Sequence, residues 1–171
     1  DFVSKDALTR LPHVIERERR AATERSVARE TELRLQVVFE TAVDGIITID
    51  ERGIVDSINP AAARMFGYTP EEVLGRNVAI LAPEPDRSAH QGYIERYLRT
   101  GKRRIIGIGR EVLAQRKDGT TFPIRLAVSE ACLGEHRIFT AILHDLTDYK
   151  RVEQELRQSR DDLDRAQALA Q

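Results

Sequence analysis

The 171-residue sequence is poor in cysteine and aromatic residues: it has one Cys, no Trp, and 5% aromatics. A lone cysteine, Cys132, cannot form an internal disulfide, so the chain lacks the cystine framework of small secreted domains and suits a reducing compartment. No stretch approaches the roughly 18 apolar residues of a membrane-spanning helix, and no segment resembles a signal peptide. We therefore expect a cytoplasmic location and no membrane span in this segment.

An excess of charge of one sign is also missing. The sequence has 27 basic and 28 acidic residues, which gives a formal net charge of −1. Its densest basic cluster, at Arg17, Arg19 and Arg20, alternates with glutamates and is typical of a solvated helix face. This balance argues against nucleic acid or an anionic membrane as a partner.

Catalytic signatures are absent from the sequence as well. It has no glycine-rich phosphate loop, no histidines or cysteines at metal-ligand spacing, and no recognisable pairing of nucleophile and base. The histidines, at positions 13, 90, 136 and 144, are scattered. We predict that this segment is not an enzyme.

Apolar residues concentrate between positions 33 and 147, while 12–32 and 148–171 are mostly charged or alanine-rich. This distribution predicts one globular domain between two helical arms. Residues 1–6 are interpreted as the end of a strand and a loop, followed by a helix from Ala7 to about Glu40. Within the domain, hydrophobic patterns and turn residues predict two short strands, several short helices, and three final strands. The predicted fold class is therefore α+β, a five-stranded antiparallel sheet with helices on one face.

The predicted helix after residue 147 carries apolar residues at heptad spacing. The proposed seam consists of Tyr149, Val152, Leu156, Ser159 and Leu163. Two such seams would bury each other in a parallel coiled coil, which predicts a homodimer with a seam weakened by the serine. The alternative is a helix that packs back on its own sheet.

Several motifs resemble the PAS family of sensory domains. They are Asn59-Pro60-Ala61-Ala62, Phe66-Gly67-Tyr68, Arg116-Lys117-Asp118-Gly119 and Asp145-Leu146-Thr147. The resemblance implies a PAS domain at 33–147 in a bacterial signalling protein, most simply a multidomain histidine kinase. It also implies that Asp145 and Thr147 relay a signal from the sheet to the exit helix. A ligand-free PAS that serves as a dimerisation spacer in a diguanylate cyclase or other output protein stays open.

Residues 83–110 resemble more specifically the FixL-type haem oxygen sensors, through Pro83–His90, Tyr93-Ile94, Arg96-Tyr97 and Ile105–Arg110. The resemblance implies that His90 binds haem iron and that Arg110 contacts bound oxygen or a propionate; Arg96 could pair with a propionate. The predicted apolar lining is Ile105, Ile108, Leu126, Val128 and Ile142.

An alternative leaves the pocket empty or filled by another small ligand. His90 would then hydrogen-bond Asp86 or a backbone carbonyl, and Arg110 would pair with Glu111 or Glu84. Gly75-Arg76-Asn77 resembles a motif of the light-sensing class of PAS domains, in which the next residue is a cysteine that bonds to flavin. Val78 stands at that position here, so a flavin-cysteinyl adduct is excluded.

The two ends suggest neighbouring domains. Residues 1–6 with Leu8 and Leu11 resemble the tail of a receiver domain, and 165–171 resembles the helix that leads into another PAS domain. We therefore expect a receiver tail at 1–20, a helical linker at 21–32, the PAS domain at 33–147, and a signalling helix at 148–171.

Overall fold

The computed structural model describes the backbone of residues 5–101, 109–134 and 136–169, and their side chains except those of 5–15, 133 and 166–169. The chain divides into two compact units, residues 1–40 and 41–171, which are described separately. Among the described residues, no helix has the length and apolar character needed to cross a membrane.

The first unit is almost entirely one helix, α1, which runs from Lys5 to Thr41. The predicted loop at 1–6 is therefore wrong for Lys5 and Asp6, which are helical. Neither residue type breaks a helix, as proline and glycine do. The part of that prediction that falls on residues 1–4 lies outside the described residues.

The second unit contains a five-stranded antiparallel sheet, as predicted. Its strands are β1 (Gly45–Ile49), β2 (Val55–Ile58), β3 (Arg110–Gln115), β4 (Thr121–Leu133) and β5 (His136–Asp145). Their spatial order is β2-β1-β5-β4-β3, so the last strand lies in the centre and β3 at an edge.

Short helices follow β2 and pack on one face of this sheet, here called the inner face. They are α2 (Pro60–Phe66), α3 (Pro70–Val73), a 3-10 helix (Val78–Leu81) and α4 (Asp86–Thr100). The exit helix α5 (Thr147–Leu169) begins two residues after β5 ends. The predicted caps are present: Asn59 caps α2, and Thr69 and Glu72 form a capping box at α3.

The corner between β2 and α2 is built around Asn59, whose side chain is completely buried. Its Oδ1 accepts hydrogen bonds from the backbone N–H groups of Ile46 and Ala62, both at 2.9 Å. Its Nδ2 donates to the carbonyl oxygen of Asp44 at 3.0 Å. One side chain thus joins β1 to the first turn of α2.

The hydrophobic core lies between the inner face and these helices. The largest buried side chains include Ile47, Val55, Phe66 and Phe122. The rings of Phe66 and Phe122 meet edge to face, with their centroids 5.5 Å apart, which is a favourable aromatic geometry. The contact holds α2 against β4.

Candidate functional site

A cavity of about 390 Å³ lies between α4 and the inner face of the sheet. Its volume is within the usual range of small-molecule sites. The lining residues from the helical side are Ala82, Asp86, His90, Tyr93, Ile94, Arg96 and Tyr97. Those from the sheet are Ile49, Arg110, Val112, Leu113, Leu126, Val128 and Phe139. The wall is mainly apolar, and a few polar groups converge on it.

His90 lines the cavity from the second turn of α4. Its Nδ1 atom is buried and has no hydrogen-bond partner among the residues that the structure describes. The predicted alternative of a bond to Asp86 is therefore not formed by this atom; Asp86 instead accepts a hydrogen bond from the Tyr93 hydroxyl at 3.1 Å. Burial lowers the pKa of His90, and the nearby Asp86 carboxylate opposes this only in part. The imidazole is therefore neutral at pH 7, the form that binds metals.

The two predicted arginines both line the cavity, Arg96 from α4 and Arg110 from the start of β3. The acidic residues proposed as alternative partners of Arg110 are engaged elsewhere. Glu111 lies 3.0 Å from the ammonium group of Lys150, and Glu84 accepts a 2.8 Å hydrogen bond from the Ser88 hydroxyl. The guanidinium groups of Arg96 and Arg110 are thus placed beside an apolar cavity.

The residues of the predicted apolar lining lie in different places. Leu126 and Val128 line the cavity, whereas Ile105 and Ile108 lie outside the described residues. Ile142 was predicted wrongly: it is 45% exposed and pairs with Ile46 and Ala127, on the face opposite the cavity. Side chains alternate along a strand, so Ile142 points away from the face that buries its neighbour Leu143.

A polar group that the sequence did not reveal lies at one end of the cavity. The Tyr97 hydroxyl donates a hydrogen bond to Glu130, which also forms a salt bridge with Arg137 at 3.2 Å. The Tyr97 ring meets Phe139 edge to face at 5.9 Å. Strand alternation puts Glu130 on the same face as Leu126 and Val128. This pattern is the sequence signal that indicates its place near the cavity.

The junction between β5 and α5 is held by side-chain hydrogen bonds, as the sequence suggested. Asp145 Oδ1 accepts from the backbone N–H of Thr147 at 2.8 Å and also from its hydroxyl. Arg116, which was not assigned a role, contacts Asp145 Oδ2 at 3.3 Å and donates to the Met65 carbonyl oxygen at 3.0 Å. Its guanidinium also lies 3.7 Å from the centre of the Phe122 ring. Arg116 therefore connects the end of α2 with the start of α5.

Replacing Arg116 by Met should loosen the start of α5 while the contact with Phe122 is largely retained. The pair with Asp145 is part-buried and worth about 1 kcal/mol. We therefore expect hydrogen exchange of the Thr147 and Lys150 amides to speed up roughly fivefold. Arg52→Met, which removes an exposed pair in the β1–β2 turn, is the control. Equal exchange at both amides in the two variants would contradict this role.

The exposed side of α5 carries the predicted seam. The apolar side chains of Tyr149, Val152, Leu156 and Leu163 are all more than half exposed in the single chain. Ser159 is also exposed. A stripe of exposed apolar residues at heptad spacing is what a coiled-coil partner would cover.

Comparison with known proteins places this geometry in a family. A family model described as PAS fold matches residues 33–146. The sensor protein FixL of Bradyrhizobium diazoefficiens is 42% identical over 135 residues, which cover 79% of this chain and 27% of FixL. The cell-division control histidine kinase PdhS of Brucella ovis is 31% identical over 132 residues, 77% of this chain and 13% of PdhS.

Among solved structures, the PAS domain of an HTR-like protein from Haloarcula marismortui superimposes with a TM-score of 0.60 at 25% identity. The match covers 72% of this chain and 98% of that one. The chain spans about a quarter of the length of FixL and less of PdhS. The matched sequence, the sheet order and the helices on one face agree, and the chain belongs to the PAS family.

Proposed function

We propose that this chain is the sensory module of a dimeric bacterial signalling protein with a histidine kinase output. A ligand occupies the α4 cavity, and the response leaves through α5. The observation that carries the proposal is the buried Nδ1 atom of His90, which has no hydrogen-bond partner among the described residues. A buried polar atom without a hydrogen-bond partner costs free energy, and a ligand that binds this side chain can offset that cost.

The similarity to FixL favours haem as the ligand, and the donor set fits it. His90 would supply the nitrogen that binds the iron from within an apolar cavity, and Arg96 and Arg110 would pair with the propionates. Leu126, Val128 and Phe139 would help to exclude water from the bound group. When bound, haem supplies an iron centre that takes up a small gas reversibly.

One strand, β5, carries residues of both the cavity and the junction with α5. β5 holds Phe139 at the cavity wall and Asp145 at the start of α5, so a shift of this strand changes both. The weak seam of α5 allows two helix arrangements of similar energy, which is a known way to transmit such a shift. The N-terminal arm, with its proposed receiver tail at 1–20, would connect the module to an upstream domain.

Haem reconstitution of the purified chain tests the proposal. We expect a Soret band in the wild type and a loss of haem affinity of more than about 100-fold in His90→Ala, because even residues that only orient a ligand cost about 10–100-fold. His136→Ala removes an exposed histidine at the start of β5 and is the matched control.

Two results would contradict the haem assignment. One is a wild-type chain that shows no Soret band. The other is a His90→Ala variant that binds haem as tightly as the control does. Either result would leave the PAS module with another small ligand or with none.

A further inference from the structure

The side chain of Arg87 ties the start of α4 to two neighbouring elements. Its Nε donates to the Ala82 carbonyl oxygen at 2.9 Å, and its Nη2 donates to the Ile80 carbonyl oxygen at 3.3 Å. The same Nη2 donates to the side-chain oxygen of Gln115 at the end of β3. One guanidinium therefore joins α4 to the 3-10 helix behind it and to the edge strand of the sheet.

Gln115 is itself held in place, because its Nε2 donates to the Gly119 carbonyl oxygen at 2.9 Å in the β3–β4 turn. Its side-chain oxygen is thus oriented toward α4. The planar guanidinium can donate in several fixed directions at once, and a lysine at position 87 could not reproduce these bonds together.

Arg87 lies three residues before His90, on the same side of α4. No residue of α4 is fully buried, so its position against the sheet depends on partly buried apolar contacts together with polar ones. We propose that Arg87 is a positioning residue for His90: its bonds to Ile80, Ala82 and Gln115 hold the imidazole in the cavity. The proposal rests on the cavity being the ligand site of the proposed function.

One test needs no ligand. Each histidine is modified with diethyl pyrocarbonate at a fixed pH, and mass spectrometry measures the rate of carbethoxylation at each position. In the wild type, His90 should react more slowly than the exposed His136. In Arg87→Gln, His90 should react roughly tenfold faster, because charge-assisted hydrogen bonds that limit local opening are lost. His136 should be unchanged.

Gln115 provides a matched pair of variants that leaves Arg87 in place. Gln115→Leu and Gln115→Glu both lose the hydrogen bond to Gly119, but only the glutamate keeps an acceptor for the guanidinium. We expect faster labelling of His90 in the leucine variant and near wild-type labelling in the glutamate variant. Unchanged labelling of His90 in both Arg87→Gln and Gln115→Leu, with folding intact by urea titration, would overturn the proposal.

Haem affinity separates positioning from a general structural effect. Arg87→Gln should weaken haem binding about tenfold in the wild type and have no further effect in a His90→Ala background, since it acts through that imidazole. Equal weakening in both backgrounds would overturn the positioning role. If the wild type binds no haem while the labelling changes as expected, the haem assignment fails and the positioning role stands.

Discussion

Asn59→Ala is expected to lower the free energy of unfolding by about 3–5 kcal/mol. The substitution removes the hydrogen-bond partner of the Ile46 and Ala62 backbone N–H groups and of the Asp44 carbonyl oxygen. Asn59 is 0% exposed at this corner. Each buried group left without a partner costs about 1–3 kcal/mol. Urea denaturation followed by circular dichroism measures the loss, which is a large part of the stability of an ordinary domain.

Asn77→Ala is the matched control for this prediction. Asn77 also caps a helix, with Oδ1 accepting from the Ala79 N–H at 2.9 Å and Nδ2 donating to the Arg52 carbonyl oxygen at 3.1 Å, but it is only half-buried. Water can replace its bonds, so we expect a loss of about 1 kcal/mol. Equal losses at the two positions would show that the buried corner has no special role.

Ser159→Leu is expected to tighten the proposed homodimer at least tenfold. The serine interrupts the apolar seam of α5 between Leu156 and Leu163, and a dimer would bury the new side chain twice. Burying a leucine contributes about 1.5–3 kcal/mol, and about 1.4 kcal/mol is already tenfold in Kd. Sedimentation equilibrium at several protein concentrations measures the change.

Gln158→Leu adds the same side chain one position away and is the control. An adjacent helix residue is rotated by about 100° from the seam, so it should change the Kd little. If both variants associate equally, the added leucine acts as a non-specific apolar group. If Ser159→Leu leaves the chain monomeric at every concentration, the paired exit helix is wrong.

The fold could be predicted from the sequence because its signals are local. The Asn59-Pro60 cap and the capping box at Thr69 mark helix starts by their own chemistry, and the alternation at Phe122, Ile124 and Leu126 marks the inner face of β4. The same alternation in β5 places Ile142 on the face away from the cavity. An apolar side chain alone therefore does not identify the cavity wall, because its face depends on its place in the strand.

The site was harder to predict because its polar contacts join distant parts of the chain. Only the resemblance to a family marks His90 and Arg110 in the sequence, and only the fold brings them to one cavity. Arg116 reaches Met65, 51 residues away in sequence, and Arg87 reaches Gln115, 28 away. No local pattern marks such pairs, since each arginine alone is typical of a solvated surface.

Gln115 is the last residue of β3 and Arg116 follows it directly, and the two contact different parts of the molecule. Gln115 accepts from Arg87 of the helix that carries His90, while Arg116 pairs with Asp145 before the exit helix. An insertion or deletion of one residue here would exchange their directions. This matters for the design of hybrid receptors. A grafted α4 needs a donor that reaches the side chain at position 115, and a grafted exit helix needs an acceptor for the side chain at position 116. The two positions must stay adjacent in sequence.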